Sequence, residues 1–327
     1  MIMLPSVTLF SQEAVNLGEI TRSEEHVFVV TNRQLVSSSD NQLVFEPRPS
    51  SIISHHYFIA QEKEGSWIYS PQSSLQELLN NDWRYQDLLV FIHGDGKDLQ
   101  SAVERAFEVQ QLYKVNVLVY AWPSRDPSLG AIANYKNSRQ NIESSTATMA
   151  DFLESLRKFS EESQQLQQQK LTLFLHSLGN YYLETLVQEG YADHFSDPFV
   201  DNLILNAAAV EQKGHAKWLE KVHFGKRVIV NSNDDDISLT GLRVLTKLGR
   251  QLGESAGEDL AGNATYVDFT SIVGFRGMGP SHSYYFAEKI VKISEVKDFY
   301  SKLFHGDAPQ DSTNNILLTH HDENPGD

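Results

Sequence analysis

The sequence predicts an α/β fold: a mainly parallel sheet with helices on both faces and an N-terminal β extension. Three observations carry that expectation. From Asp87 onward, short runs of large apolar residues alternate with stretches whose apolar positions recur at helical spacing, which is the rhythm of βα units. Before residue 85 the chain has short β-type runs separated by Ser, Asn and Pro clusters. Finally, the apolar run at 171–175 (LTLFL) stops abruptly at His176-Ser177-Leu178-Gly179, and helical spacing resumes with Leu183, Leu186 and Val187.

Taken in order, residues 26–31 (HVFVVT), 43–46 and 57–60 read as strands that extend the sheet at one edge. Residues 73–80 read as a short helix with Leu75, Leu78 and Leu79 on one side. Residues 87–92 (DLLVFI) form a buried strand, 93–96 a glycine loop, and 99–112 a helix with Leu99, Ala102, Val103, Ala106 and Phe107 inward. The strand at 115–122 is ended by Pro123, and one long helix is expected over 138–160. A polar connector at 164–169 leads to the strand at 171–175. Strands at 202–209, 227–232 and 265–269 then alternate with helices at 215–222 and 242–252, before a last helical stretch at 284–303. This divides the chain into an extension of the same sheet (1–84), one α/β core (85–306) and a flexible tail (307–327).

Composition narrows the function. With 43 acidic against 27 basic residues, the net charge of -16 argues against nucleic acid and against an anionic membrane surface. The absence of Cys rules out disulfides, thiol catalysis and Cys-ligated zinc. His55-His56 and His320-His321 lack further ligands at metal spacing and read as surface residues, so neither a metal nor a cofactor is expected. The N-terminus has no basic start, its apolar run is broken by Pro5 and Ser6, and no run approaches membrane-spanning length. The expected location is the cytoplasm, although a cysteine-free protein is also compatible with the periplasm.

A Ser at a sharp turn from a buried strand into a helix is the setting of a nucleophile elbow. The turn lifts the Ser177 hydroxyl out of the sheet, and the backbone N–H of Leu178 faces negative charge developing beside it. The usual pattern is G-x-S-x-G, and Leu175 departs from it at the first small position. A literal G-x-S-x-G occurs at Gly253-Glu254-Ser255-Ala256-Gly257, but no apolar strand precedes it and no packed helix follows. Context therefore favours Ser177 over Ser255.

A Ser hydroxyl needs a base, and the base needs a carboxylate to hold its tautomer. Both are available in the expected chain order. The strand at 227–232 runs into Asn233-Asp234-Asp235-Asp236, and the loop after 265–269 reaches His282. Three adjacent Asp residues cannot all face one imidazole. Asp234 comes first after the strand and is expected to orient His282, with Asp235 and Asp236 facing solvent or capping the helix that begins near Ser238. His93-Gly94 opens the loop from which a second oxyanion donor, the backbone N–H of Asp95, is expected.

These residues resemble an α/β-hydrolase family, largely bacterial, that is known as a domain of unknown function. The matching motifs are Thr31-Asn32-Arg33, Phe91-Ile92-His93-Gly94, Trp122-Pro123-Ser124 and Tyr135 with Ser138, followed by His176-Ser177-Leu178-Gly179-Asn180, Asp234 and His282-Ser283-Tyr284. The resemblance covers about residues 26–293 and implies an α/β-hydrolase fold, with Ser177 as nucleophile, Asp234 as acid and His282 as base. It implies little about substrate.

The resulting expectation is a serine hydrolase, esterase- or thioesterase-like, that forms an acyl-enzyme on a small acyl or ester substrate. A non-catalytic binding or scaffold protein on the same fold and an acyltransferase are the alternatives. The interval 210–226 is too short for a lid domain, so cover over the site is expected from 125–134 or 236–265.

Overall fold

The computed structural model describes residues 12–21, 24–81, 83–163, 166, 168–309 and 317–320. The N-terminal part holds β1 (Glu13–Asn16), β2 (Val27–Thr31), β3 (Arg33–Ser39), β4 (Gln42–Pro49), β5 (His56–Lys63), β6 (Ser66–Gln72) and α1 (Leu75–Leu79). Then come β7 (Leu88–Ile92), α2 (Leu99–Tyr113), β8 (Asn116–Tyr120), α3 (Ala131–Ser144), α4 (Thr146–Glu162), β9 (Leu171–His176) and α5 (Tyr181–Gln188). The last part comprises β10 (Val200–Asn206), α6 (His215–Leu219), β11 (Gly225–Ser232), α7 (Ile237–Thr246), β12 (Ala264–Asp268), α8 (Met278–His282), α9 (Glu288–Val291), α10 (Ser294–Phe304) and β13 (Leu317–His320).

The main sheet has the order β13-β12-β11-β10-β9-β7-β8-β2-β5-β6. Strands β12 through β2 in that order pair in parallel, while β13 and the β5-β6 hairpin add antiparallel edges. The continuous apolar runs follow from burial on both faces. In β7, Leu88, Val90 and Ile92 enter one core with Leu153 of α4 and Leu183 of α5. Leu89 and Phe91 enter the other, with Val103 of α2 and Leu303 of α10.

Several expectations need correction. Among the described residues of the N-terminal part, only β2, β5 and β6 join the main sheet; β1, β4 and β3 form a second, three-stranded sheet. Register shifts between Arg33, Leu35 and Ser37 break the β3 pairing. The small sheet turns Val15, Leu43 and Phe45 onto Phe58 and Tyr69. The long helix is two helices, interrupted at Ser145. Its hydroxyl donates to the Asn141 carbonyl at 2.6 Å and meets the Tyr182 hydroxyl at 2.9 Å, while the Thr146 hydroxyl donates to Ile142 O at 3.2 Å, so these side chains compete for the backbone groups of the turn.

The helix expected around 242–252, with its capped start near Ser238, begins at Ile237 and stops at Thr246, where Lys247 turns left-handed (φ 59°). The stretch 284–303 divides into α9 and α10. Within the expected tail, residues 317–320 form β13 on the edge of β12. The His55 side chain is 2% exposed and sits among the rings of Tyr57, Tyr120 and Phe152, so it is not on the surface. Residues 1–11, on which the leader argument rests, and His321 lie outside the described residues, as does part of the connector at 164–169. Among the described residues no helix is long and apolar enough to cross a membrane.

Candidate active site

Strand β9 delivers Ser177 at the carboxyl edge of the parallel strands, where open α/β sheets form their clefts. Ser177 has φ 52°, a left-handed conformation that costs a non-glycine residue free energy and is typical of an overdetermined functional turn. A tight 3-10 turn, Ser177–Asn180, leads into α5. Asn180 anchors it by donating to the carbonyls of Ser177 at 2.9 Å and Leu175 at 3.2 Å.

Two close approaches explain why the elbow tolerates Leu175. A Cβ at Gly94 would lie 2.7 Å from the Ser177 Cβ, and one at Gly179 would lie 2.7 Å from the His93 carbonyl oxygen. The small residues are therefore needed where the elbow meets the glycine loop. Leu175 belongs to the core that also holds Leu178 and Leu183, and is 2% exposed.

His282 ends α8, and its Nδ1–H donates to Asp236 Oδ2 at 2.6 Å. The carboxylate on the imidazole is therefore that of Asp236, and the expectation for Asp234 is corrected. Asp236 caps α7, with Oδ1 accepting from the N–H groups of Ser238 at 3.0 Å and Leu239 at 3.1 Å. That cap fixes the side chain so that its second oxygen is presented to His282. Asp234 instead turns outward, 58% exposed, and pairs with Arg250. Buried Asn233 joins the two loops by donating to the Ser281 carbonyl at 2.8 Å.

His176 packs against His282 with ring centroids 4.7 Å apart. Burial, the neighbouring His282 and the Arg105 charge hold His176 well below the ordinary histidine range, so it stays neutral. Asn206 Oδ1 accepts from the Tyr300 hydroxyl at 2.5 Å and from Asn231 at 3.2 Å, which turns its amide nitrogen toward His176 Nδ1 at 3.3 Å.

The glycine loop is braced from several sides. His93 donates through Nδ1 to Gly94 O at 2.8 Å and stacks on Trp122, whose indole N–H donates to His93 O at 2.8 Å. Burial pushes His93 down to about 3, which keeps this arrangement neutral. Ser124 O accepts from the Gly96 N–H at 3.0 Å, and Ser124 Oγ accepts from the Lys97 N–H at 2.8 Å. The Asp95 carboxylate accepts from Ser138 Oγ at 2.6 Å and Asn134 at 3.1 Å, tying the loop to α3. Burial raises the Asp95 carboxyl above its ordinary range. Buried Arg33 donates to the carbonyls of Ala121 and Lys97.

Ser177, Leu178, Asp95 and His282 line one cavity of about 450 Å³. Its outer walls come from Ala131 and Ile132 at the start of α3, and from Leu242 and Leu245 of α7. Both stretches named for cover, 125–134 and 236–265, thus contribute residues. Ser255 is not among the lining residues. Its neighbour Glu254 is buried and accepts from Thr240 at 2.9 Å beside Arg243 at 3.1 Å, clasping α7 to the body. Among the described residues no cluster of His, Cys, Asp or Glu could hold a metal ion. Asn233, Asn134, Lys97 and Arg105 belong to the site or its support and were not singled out from sequence. Loop polar residues without a motif carry no local signal of convergence.

Comparison with solved structures finds an esterase of Pyrobaculum calidifontis, at 12% identity over 77% of this chain and 82% of that one, with a TM-score of 0.37. Dienelactone hydrolase from Anabaena variabilis ATCC 29413 is similar at 15% identity over 84% and 97%, with a TM-score of 0.38. Esterase PE8 is similar at 15% identity over 67% and 93%, with a TM-score of 0.36. Comparison with curated proteins finds no match. Residues 69–294, more than half of the chain, match a family model, and the protein belongs to that family, the alpha/beta hydrolases of unknown function known as DUF900.

Proposed function

We propose that the protein is a serine hydrolase acting on an ester, thioester or related acyl compound, with Ser177 as nucleophile, His282 as base and Asp236 as the carboxylate that orients it. The observation that carries this reading is the 2.6 Å bond between Asp236 and His282 Nδ1 at a cavity that also holds Ser177 on a left-handed turn. With Nδ1–H committed to Asp236, the other ring nitrogen of His282 is free to take the Ser177 proton. Ser177 attacks the acyl carbon, and the oxyanion faces the N–H groups of Leu178 and Asp95. The leaving alcohol or thiol takes the proton from His282, and water then hydrolyses the acyl-enzyme by the same route. Ser177 and His282 line the same cavity, and the proton transfer requires the free imidazole nitrogen to reach the Ser177 hydroxyl within it.

The test is labelling with a fluorophosphonate followed by peptide mapping. Label is expected on Ser177 and lost in Ser177→Ala. Label on Ser255 would overturn the reading by moving the nucleophile, and no label on folded protein would overturn it in favour of a binding role. An acyl-enzyme that persists in water but transfers to an added alcohol would redirect it to acyl transfer.

A further inference from the structure

Lys97 and Arg105 line the same cavity as Ser177, in a chain whose net charge is -16. Most of the remaining wall is apolar, with Phe91, Ile132, Leu239, Leu242, Leu245 and Met278 prominent. Asp95 is the acidic residue among the described lining residues, and its carboxylate is committed to Ser138 and Asn134. The carboxylates that act on the Lys97 ammonium, those of Asp98, Glu108 and Glu104, do not line the cavity. Arg105 lies over the Phe286 ring at 3.8 Å, and its Nε pairs with the Glu108 carboxylate at 3.4 Å. Glu108 is half-exposed, one turn further along α2, and does not line the cavity.

Two partly buried cations that line one cavity repel each other and lose hydration. Lys97 shows both costs: burial first, and then Arg105, draw its ammonium below the ordinary lysine range. Asp98, Glu104 and Glu108 act in the opposite direction from outside the cavity, and Asp98 is already engaged with Ser101 and Arg125. An apolar pocket with convergent charges at one place is a selective site, because the walls take up chain while the charges fix one group.

We propose that the substrate is an anionic acyl ester or thioester, whose chain lies along the apolar walls and whose carboxylate pairs with Lys97 and Arg105. This rests on the hydrolase reading of the same cavity. The carboxylate can sit on the acyl part or on the leaving group.

The experiment compares kcat/KM for phenyl hexanoate, the monophenyl ester of glutaric acid and 4-(carboxymethyl)phenyl hexanoate at low ionic strength. One of the two anionic esters is expected to exceed the neutral one at least tenfold, and which one identifies the side that carries the charge. The ratio should fall at least fivefold in Lys97→Gln and in Arg105→Gln, be retained in Lys97→Arg, and shrink in added salt. A neutral ester that is equal or better, or a preference that survives both Gln substitutions, would overturn the proposal. If the protein neither turns over nor takes label, the hydrolase reading falls by itself. Calorimetry with the three corresponding amides then decides the anion site: tighter binding of an anionic amide supports it, and equal binding overturns it.

Discussion

Asp236 divides its carboxylate between two tasks, with Oδ1 closing the first turn of α7 and Oδ2 receiving the His282 Nδ1–H at 2.6 Å. One side chain thus sets both the start of the cover helix and the tautomer of the proposed base.

Asp236→Asn separates those tasks, because Asn caps a helix about as well as Asp but cannot favour the charged imidazole. Turnover should fall about 10³-fold or more with Tm nearly unchanged. Asp234→Asn removes an exposed pair with Arg250 and should change kcat less than about twofold. Steady-state kinetics on both variants decide between the two carboxylates.

Gly94→Ala tests the contact between loop and elbow. The new methyl would sit 2.7 Å from the Ser177 Cβ, so one of the two backbones must move. The expected result is a stability loss of about 1–3 kcal/mol in denaturant titration and a larger loss of activity than of fold.

Acid should destabilise the protein through histidines that are neutral when folded. Burial lowers His55 to about 4 and His93 to about 3, both from 6.5. Because the folded values are depressed, the unfolded chain takes up protons first as pH falls. The stability these groups contribute is complete above pH 6.5 and is lost progressively toward pH 4 for His55 and pH 3 for His93. Urea titrations from pH 7.5 to 4.5 should show a shallower decline in His55→Gln than in the unsubstituted protein. An identical slope would remove His55 from the account.

Glu254→Ala should loosen α7 by leaving Thr240 and Arg243 without their buried acceptor, at a cost of about 1–3 kcal/mol. Hydrogen exchange should rise across 237–246, and KM for the preferred ester should rise more than kcat falls.

The strand-turn-helix sequence around Ser177 was visible in the chain because its signal is local: an apolar run, a break and a resumed helical period. The alternating βα rhythm was visible for the same reason, and it located the loops that carry the three Asp residues and His282. What could not be read was the choice among those Asp residues. A cap on the helix beginning near Ser238 was legible, but whether the capping carboxylate of Asp236 also reaches His282 depends on how the two loops meet in space. The division of the long helix at Ser145 was hidden because its apolar positions keep nearly one phase across the break. The Glu254 clasp was hidden inside a motif whose letters suggest a different use.

The cavity mouth and the packed interior fall to different helices, on either side of the break at Ser145. Beyond it α4 is locked by Met149, Phe152, Leu153 and Leu156, whereas the first turn of α3 meets solvent at Ile132, which is 41% exposed. Substitutions at Ala131 and Ile132 would therefore reshape what enters without repacking the interior. For anyone redesigning this protein, that tip is an adjustable doorframe hung on a fixed wall.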